Sequence, residues 1–486
     1  MTEVGTVNQA VAATGSLDAR AARGAAWSMI GFAAGLALRL VGNVVLTRLL
    51  FEETFGLMLL VQAFLTGLHL FSDFGIGPSI IQHKRGDDPV FVNTAFTMQA
   101  GRGLILWMIT WAGALPFAAF YNQPILAWVL PIAGFTALIE GLYSTKLLTA
   151  NRELAMGRLT IIDLGSQVAA LVVMLAWVTI RPSVWALVVG SIVSCAVRMV
   201  LSHTALPGLR NRLEWSGEAR RALLHFGKWI FVSTVLTFLA SQSDRLIFGK
   251  FVDMKLLGVY NIAIILATLP AQGLGNITAK IIFPLFSRIH NEGRDLAAAY
   301  RCGRWPLLVL GGWATASLVG GGPTVVHLFY DNRYEEAGWM LQIVAMGSWF
   351  GVLLENTNGA ALLARGLAQW TAAGEAGKLV GLIAFLPIGY AVAGFPGAVA
   401  GVAGAELVRY VISVLAARRQ GLHGLDQDAL LTLTIIGASL VGYLAATVVR
   451  QRGWPVVVEA VVVFLAVSLA WLPLALPLVV HHRSKT

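Results

Sequence analysis

Residues 25–50 read AAWSMIGFAAGLALRLVGNVVLTRLL, a continuous apolar run that decides the fold class. A helix rises about 1.5 Å per residue, so about 20 apolar residues cross the hydrocarbon core of a bilayer. The run is too long for the apolar core of a signal peptide, and no small-residue cleavage site follows a short core. It therefore predicts a retained first membrane-spanning helix.

The composition of the whole chain points the same way. Of its 486 residues, 57% are hydrophobic and 12% are charged, and the mean hydropathy is +0.73, whereas soluble proteins carry about 25% charged residues. A soluble globular fold is therefore excluded. Two cysteines, Cys195 and Cys302, provide neither a disulfide framework nor a CxxC metal motif. The basic residues are too dispersed for a nucleic-acid partner.

Similar apolar windows recur along the chain and predict an all-α integral membrane protein of about fourteen transmembrane helices. Such long runs indicate helices, because the strands of a bacterial barrel give short alternating segments. The predicted spans are 25–47, 56–82, 91–119, 125–145, 159–180, 183–203, 223–249, 256–287, 305–323, 337–364, 369–390, 396–417, 430–449 and 455–480.

The Lys and Arg residues are distributed unevenly between the two sides of this map. With the N-terminus inside, 20 of the 35 cations fall in cytoplasmic segments and seven in the opposite loops. Cytoplasmic loops of membrane proteins carry such an excess. The bias predicts that both termini are cytoplasmic, and it accounts for most of the net charge of +10.

The longest connection, rich in arginine, predicts a seam between two six-helix lobes. Aligning the lobes without gaps places Trp27 on Trp229 and Gly56 on Gly258. Because the first span aligns with the seventh, the repeat would be parallel, around a central cavity. The predicted parts are a cytoplasmic tail (1–22), an N-lobe (23–203), a cytoplasmic linker (204–222), a C-lobe (223–420) and two additional spans with a cytoplasmic tail (421–486).

Charged residues inside the predicted spans indicate a polar interior, since a central charge costs on the order of 2.5–3.5 kcal/mol even on insertion scales. In the first lobe, Arg39 lies mid-span with Asn43 one turn on, and Arg102 lies inside the third span. A guanidinium binds phosphate or pyrophosphate bidentately. These arginines are candidates for an anionic substrate, and the alternative is that Arg39 and Asp73 neutralise each other.

Acidic residues in the spans are candidates for ion coupling. His69 and Asp73 are four residues apart and share a helix face, and Glu140 lies in the fourth span. A desolvated carboxyl can carry a proton across the membrane, so Asp73, Glu140 and Glu355 are the coupling candidates. Coupling to Na⁺ through Asp and Asn oxygens stays equally open. No cofactor other than H⁺ or Na⁺ is expected.

The predicted spans of the second lobe also contain charged residues. Asp244 and Arg245 lie near the outer end of the seventh span, and Lys280 lies in the eighth. The two cations are further candidates for substrate binding, and Asp244 for gating.

Two charge pairs in the second lobe have helical spacing. Glu375/Lys378 and Glu406/Arg409 each have spacing i, i+3, which puts opposite charges on one helix face. We expect these pairs to be mainly structural.

Motifs for chemistry are absent from the sequence. It has no nucleophile elbow, Walker loop or zinc signature, and the outer loops are short. We therefore predict a transporter rather than an enzyme. Without an ATP-binding loop, such a transporter must use an ion gradient or removal of its product to move a substrate uphill. The alternative from another class is a membrane-embedded glycan polymerase or acyltransferase.

Four stretches resemble the polysaccharide transporter family of the multidrug/oligosaccharidyl-lipid/polysaccharide exporter superfamily. The similarity runs from about Arg23 to at least the twelfth span. The stretches are RGAAWSMIGFAAGLALRLVGNVVLTRLLFEETFGLMLL from Arg23, SDFGIGPSIIQHK from Ser72, SDRLIFGKFVDMKLLGVYNIA from Ser243 and IIFPLFSRI from Ile281.

The resemblance implies a two-lobed bundle that flips an undecaprenyl-diphosphate-linked oligosaccharide between the leaflets of a bacterial inner membrane, for exopolysaccharide, capsule or O-antigen synthesis. It implies a cavity role for Arg39 and Asp73 and a gating role for Asp244 and Arg245. Membrane lipids, a polysaccharide polymerase and a chain-length regulator are the implied partners. Within the superfamily, a cation or drug antiporter and a peptidoglycan-precursor flippase are the alternatives.

Overall fold

The structure is a computed structural model. It describes residues 2–72, 76, 80, 88–153 and 155–483, with side chains described from residue 24 onward except at residue 25, 222–233 and 474–483. All regular secondary structure in these ranges is helical, which confirms the all-α class. The chain forms two compact units, Met1–Val235 and Leu236–Thr486. The lobe boundaries from the sequence and the parallel repeat stay predictions.

Helices of the first unit pack closely where small residues meet. A methyl group on Gly103 would overlap the carbonyl of Ala137, and one on Gly31 would overlap the side chain of Thr160. Such positions let helix backbones approach closely in membrane bundles. The helices are α1 (Thr2–Leu49), α2 (Glu52–Phe71), α3 (Pro89–Tyr121), α4 (Leu126–Gly141), α5 (Lys146–Arg152), α6 (Met156–Ile180) and α7 (Val184–Thr204), and α8 (Gly217–Phe251) begins in this unit.

Two π-helical segments interrupt the helices of the second unit. Thr278–Ile282 joins α9 to α10, and Trp349–Leu354 joins α12 to α13. The helices are α9 (Met254–Ile277), α10 (Phe283–Asn291), α11 (Leu296–Phe329), α12 (Ala337–Ser348), α13 (Glu355–Ala364), α14 (Ala368–Arg419), α15 (Leu425–Gln451) and α16 (Val456–Arg483).

Helix α14 is a hairpin of two antiparallel arms. Its 52 residues would extend about 78 Å if straight, far more than a bilayer is thick. Ala393 and Gly394 leave the helical conformation, and Gly394 has φ 64° and ψ −145°, which favours glycine. The backbones of Gly389 and Gly397 meet so closely that a methyl group on either would overlap the other. The arms correspond to the predicted spans 369–390 and 396–417.

Ten helices of the described residues are long and apolar enough to cross a membrane, or eleven if the bent pair α4–α5 forms one span. One of the ten is the whole α14 hairpin, which contains two predicted spans. Helices α8 and α11 cover two further predicted spans without being among the ten. The structure is thus compatible with about fourteen spans, a number that stays a prediction.

The two C-terminal helices pack onto α11 through a buried ion pair. Arg304 Nη2 of α11 lies 2.5 Å from Asp428 Oδ1 of α15, and both side chains are almost fully enclosed. Tyr410 donates a hydrogen bond of 2.8 Å to the other oxygen of Asp428. Arg304 and Asp428 stand just before the predicted spans 305–323 and 430–449, and both helices begin earlier than the hydropathy predicts, at Leu296 and Leu425.

A second contact holds the far ends of the same helices. Glu459 of α16 is buried and lies 2.6 Å from Arg450 of α15. Thr324 of α11 donates a hydrogen bond of 2.5 Å to the same carboxylate. Between the two contacts, Trp349, Ile435 and other buried apolar side chains form a continuous core. The C-terminal pair is therefore an integral part of the second unit.

Candidate functional site

A cavity of about 180 Å³ in the first unit brings together three of the predicted site residues. His69, Arg102 and Glu140 line it, together with Gln99 and Tyr143. His69 Nε2 lies 3.6 Å from Glu140 Oε2, and both side chains are about one third exposed. A polar cavity within an apolar helical unit offers donors and acceptors to an ionic ligand.

Arg102 has a structural task beside its place in the cavity wall. Its Nη2 donates a hydrogen bond of 2.7 Å to the carbonyl of His69, and its Nε donates one of 2.8 Å to Ser72 Oγ. A cation at the end of α2 satisfies carbonyls that lack helical partners and suits the negative end of the helix dipole. Arg102 thereby fixes the end of α2 at the cavity.

Glu140 is tied to residues that the sequence analysis did not select. Cys195 Sγ of α7 lies 3.6 Å from Glu140 Oε1, and Gln99 donates a hydrogen bond of 3.0 Å to the Glu140 carbonyl. The guanidinium of Arg198 lies 5.5 Å from the centre of the Tyr143 ring. Residue spacing along one helix cannot identify such partners, because Gln99 comes from α3 and Cys195 from α7.

Arg39 is not among the residues that line this cavity. It is exposed on α1, its Nε donates a hydrogen bond of 3.3 Å to the Gly35 carbonyl, and Asn43 follows one turn on. A guanidinium in the middle of an apolar span requires water or an anionic partner. Asp73, the expected counter-ion, lies outside the described residues, so its predicted roles stay predictions.

The predicted residues at the start of the second unit are not brought together. Asp244 is buried and accepts a hydrogen bond of 2.9 Å from Tyr260 Oη. Arg245 Nη1 donates a hydrogen bond of 3.0 Å to Gln242 Oε1. Lys280 is exposed within the first π-helical segment.

Five charged side chains of α13 and α14 form one buried network. Arg409 lies 3.2 Å from Glu355 and 2.7 Å from Glu375, and Lys378 lies 2.5 Å from Glu406. The ion pairs therefore join the two arms of the hairpin and α13. The expected i, i+3 pairs within each arm are wrong in their partners, because the facing arm offers the opposite charge at shorter range.

This charge network carries a formal net charge of −1, from three carboxylates and two cations. Its side chains are between 5% and 15% exposed. Glu406 Oε2 is buried without a hydrogen-bond partner among the described residues. It lies directly over Gly351 of the second π-helical segment, where a Cβ would overlap it. A buried, partly unsatisfied polar network at a π-helix is typical of a functional position.

The family assignment rests on a sequence match and is supported by the fold. The profile of a family described as polysaccharide biosynthesis protein matches residues 45–338, more than half of the chain but less than the range expected from the sequence motifs.

Two curated relatives match over part of their own length. The lipopolysaccharide biosynthesis protein WzxC of Escherichia coli (strain K12) is 24% identical over 284 residues, which are 58% of this chain and 57% of WzxC. The teichuronic acid biosynthesis protein TuaB of Bacillus subtilis (strain 168) is 20% identical over 314 residues, 63% of this chain and 64% of TuaB. The chain thus spans less than two thirds of either relative.

One solved structure shares the fold over nearly its whole length. The lipid II flippase MurJ, in an inward closed conformation, matches with a TM-score of 0.71 at 11% identity and covers 93% of this chain and 99% of its own. At this identity the likeness concerns the fold alone. Together, the all-helical fold and the profile match over residues 45–338 establish that the chain belongs to the polysaccharide biosynthesis protein family.

Proposed function

We propose that the protein is a flippase that moves an undecaprenyl-diphosphate-linked oligosaccharide from the cytoplasmic to the periplasmic leaflet of a bacterial inner membrane. It acts by alternating access and is a transporter, not an enzyme. The single observation that carries the proposal is the cavity lined by Arg102 inside an apolar helical unit, in a chain of a polysaccharide biosynthesis family. The names of WzxC, TuaB and MurJ support it.

The substrate class follows from the cationic side chains. Arg39 is exposed in mid-span, and Arg102 lines the cavity. A diphosphate accepts several charge-assisted hydrogen bonds and offsets the cost of a guanidinium in the membrane. The diphosphate is common to the carrier lipid whatever sugar it bears, so this recognition leaves the oligosaccharide free to vary. A polysaccharide polymerase and a chain-length regulator are the proposed partners.

The experiment for this function is a leaflet assay. The protein is reconstituted in liposomes with the host's lipid-linked oligosaccharide, and a membrane-impermeant glycosidase reports how much sugar reaches the outer leaflet. We expect Arg39→Gln to reduce flipping strongly and Arg158→Gln, an exposed arginine at the start of α6, to leave it unchanged. Equal flipping in Arg39→Gln and wild type would contradict the assignment of Arg39.

Ion coupling is the second part of the proposal, and the charge network of α13 and α14 is its site. A net charge of −1 in a low dielectric is costly, and uptake of one cation removes it. The unpartnered oxygen of Glu406 is where a proton or Na⁺ adds to the network. The His69–Glu140 pair in the first unit is a second position at which a proton can change charge.

The coupling test uses the same liposomes with an imposed pH or Na⁺ gradient. Glu355→Gln leaves two carboxylates with two cations, so we expect flipping to persist without a response to the gradient. A wild-type protein that ignores both gradients would contradict coupling and indicate passive facilitation. It would leave the flippase assignment in place.

The net negative network also favours a rival, an antiporter that exports cationic drugs. The two functions differ in cargo, so export of a cationic dye by the wild-type protein, without flipping of lipid-linked sugar, would decide for the rival. A peptidoglycan-precursor flippase would instead be essential under all growth conditions. For the proposed function, we expect disruption to give viable cells that lack the surface polysaccharide.

A further inference from the structure

The connection between α7 and α8 is an extended segment fixed along the first unit. Residues 205–216, here called the strap, contain no regular helix. Asn93 of α3 donates a hydrogen bond of 2.9 Å to the Glu214 carboxylate and accepts one of 3.2 Å from the Arg212 amide. Thr97 Oγ1 bonds to both the carbonyl and the amide of Glu214. Polar side chains of α3 thus fix this end of the strap through hydrogen bonds to its backbone and to Glu214.

The other end of the strap is fixed at the start of α5. Asn211 accepts a hydrogen bond of 2.6 Å from Ser144 and donates one of 2.5 Å to Thr145. Lys146 Nζ donates a hydrogen bond of 3.0 Å to the carbonyl of Leu206, which is buried. The side chains of Asn211 and Glu214 and the backbone of Leu206 and Arg212 therefore form the inner face of the strap.

The residues between these contacts face outward and combine two chemistries. Leu209, Leu213 and Trp215 are 47%, 76% and 58% exposed. The guanidinium of Arg220 lies 5.7 Å from the centre of the Trp215 ring. The outer strap face consists of Leu209, Arg210, Arg212, Leu213 and Trp215, and it is extended by the exposed Arg220 and Arg221 in the first turns of α8.

The position of the strap along α3 places it near a membrane surface. Helix α3 has 33 residues and is about 50 Å long, whereas the hydrocarbon core is about 30 Å thick. Its first turns, which hold the strap, therefore project beyond the hydrocarbon. Trp is enriched at that level, and the long arginine side chains reach headgroups while their stems lie along apolar surface.

We propose that the outer strap face binds the headgroups of anionic phospholipids, on the side that the charge bias predicts to be cytoplasmic. Four guanidinium groups, two on the strap and two in the first turns of α8, match several separate phosphates. A single soluble anion would instead need donors that converge on one point. The exposed Leu and Trp side chains between the arginines suit the boundary between lipid headgroups and acyl chains. Membrane binding would hold the strap, and with it the start of α8, between α3 and the lipid. This proposal does not rest on the flippase function.

The test places a label on the strap of the full-length protein. An environment-sensitive fluorophore is attached at Leu213→Cys in a Cys195→Ser/Cys302→Ser background, in nanodiscs containing either spin-labelled phosphatidylglycerol or spin-labelled phosphatidylcholine at the same fraction. We expect quenching to show about a fivefold preference for the anionic lipid, as for one or two arginines near a charged surface. Raising the salt concentration should reduce that preference.

Two arginine variants make the test specific. Arg210→Gln/Arg212→Gln should abolish the preference, since both side chains are exposed and the backbone contact of Arg212 is kept. The matched control is Arg418→Gln/Arg419→Gln, because Arg419 lies 5.6 Å from the Trp370 ring and resembles the Arg220–Trp215 pair. It should keep the preference.

Four results would overturn the proposal. They are equal quenching by both lipids, absence of quenching by either, loss of the preference in the control variant, and displacement of the anionic lipid by an equimolar lipid-linked diphosphate. The last result would make the strap a substrate site. Unchanged thermal melting of each variant shows that it is folded.

Discussion

The charged residues of the first unit border open space, whereas those of the second unit are enclosed. His69 and Glu140 are about one third exposed and line a cavity. Glu355 and Arg409 are at most 15% exposed and are held by ion pairs on several helices. A charged side chain within a membrane protein is thus stable in two environments. In the first it lines a cavity and is available to a ligand, and in the second it is buried and paired with opposite charges. Only in the second environment does removal of a counter-charge leave a buried charge without compensation.

The largest expected effect concerns the most enclosed pair. Arg304→Met leaves the Asp428 carboxylate buried without its cation, so the free energy of unfolding should fall by about 3–5 kcal/mol. The double variant Arg304→Met/Asp428→Leu should recover much of the loss, because no uncompensated charge remains. Unfolding of the purified protein in mixed micelles measures both. A double variant as unstable as the single one would contradict the ion-pair explanation.

Two variants of the charge network distinguish the loss of a paired cation from the loss of the excess negative charge. Arg409→Gln leaves Glu355 and Glu375 without their shared cation, and we expect a loss of about 3 kcal/mol in the free energy of unfolding. Glu355→Gln should cost clearly less than Arg409→Gln, since it balances the network at two carboxylates and two cations. Equal losses for the two variants, measured by the same unfolding assay, would show that the net charge of −1 has no energetic weight.

Substitution of a cavity residue should have the opposite effect to substitution in the charge network, because it should reduce flipping more than stability. Glu140→Gln removes a partly exposed pair with His69, so the unfolding free energy should change by less than about 1 kcal/mol. Flipping driven by a pH gradient should fall by about tenfold, as for the loss of one charge-assisted hydrogen bond. The control is Arg158→Gln, an exposed arginine outside the cavity lining, which should leave both flipping and stability unchanged. A Glu140→Gln protein with unchanged flipping but clearly reduced stability would reverse the comparison.

The smallest effect lies outside the spans. Hydrogen bonds from Arg288 and Arg294 lower the pKa of the exposed Glu292 carboxyl. Because the folded-state pKa is below the unfolded one, this group stabilises the fold above the ordinary Glu pKa, and the contribution is lost as the pH falls through the folded pKa. Thermal melting of wild type should therefore decline slightly more on acidification than that of Glu292→Gln. Parallel pH profiles would show that the three-residue cluster contributes nothing to stability.

Hydropathy and charge were sufficient to predict the architecture. The apolar runs predicted the α14 arms on both sides of residues 391–395, and the structure reverses the chain at Ala393–Gly394. The predicted spans 305–323 and 430–449 leave out Arg304 and Asp428, because the helices that hold these residues begin before the apolar windows do. Hydropathy averages over a window and cannot resolve one turn.

The candidate site was less accessible to prediction from the sequence. Helical spacing identified Glu375, Lys378, Glu406 and Arg409, yet it considers only neighbours on one helix and so missed the pairing between the arms. The π-helical segment before Glu355 depends on packing against the hairpin and has no local sequence signature. Cys195 has no charge and therefore gave no signal beside Glu140.

The α14 hairpin has a mechanical consequence. Near its open end, two ion pairs join the arms, and near its turn the backbones of Gly389 and Gly397 touch. Two helices that are joined at both ends resist shear and twist much more than either helix alone. We therefore expect the two arms to move as one rigid body, and any bending during the proposed transport cycle to occur in the segments on either side of the hairpin.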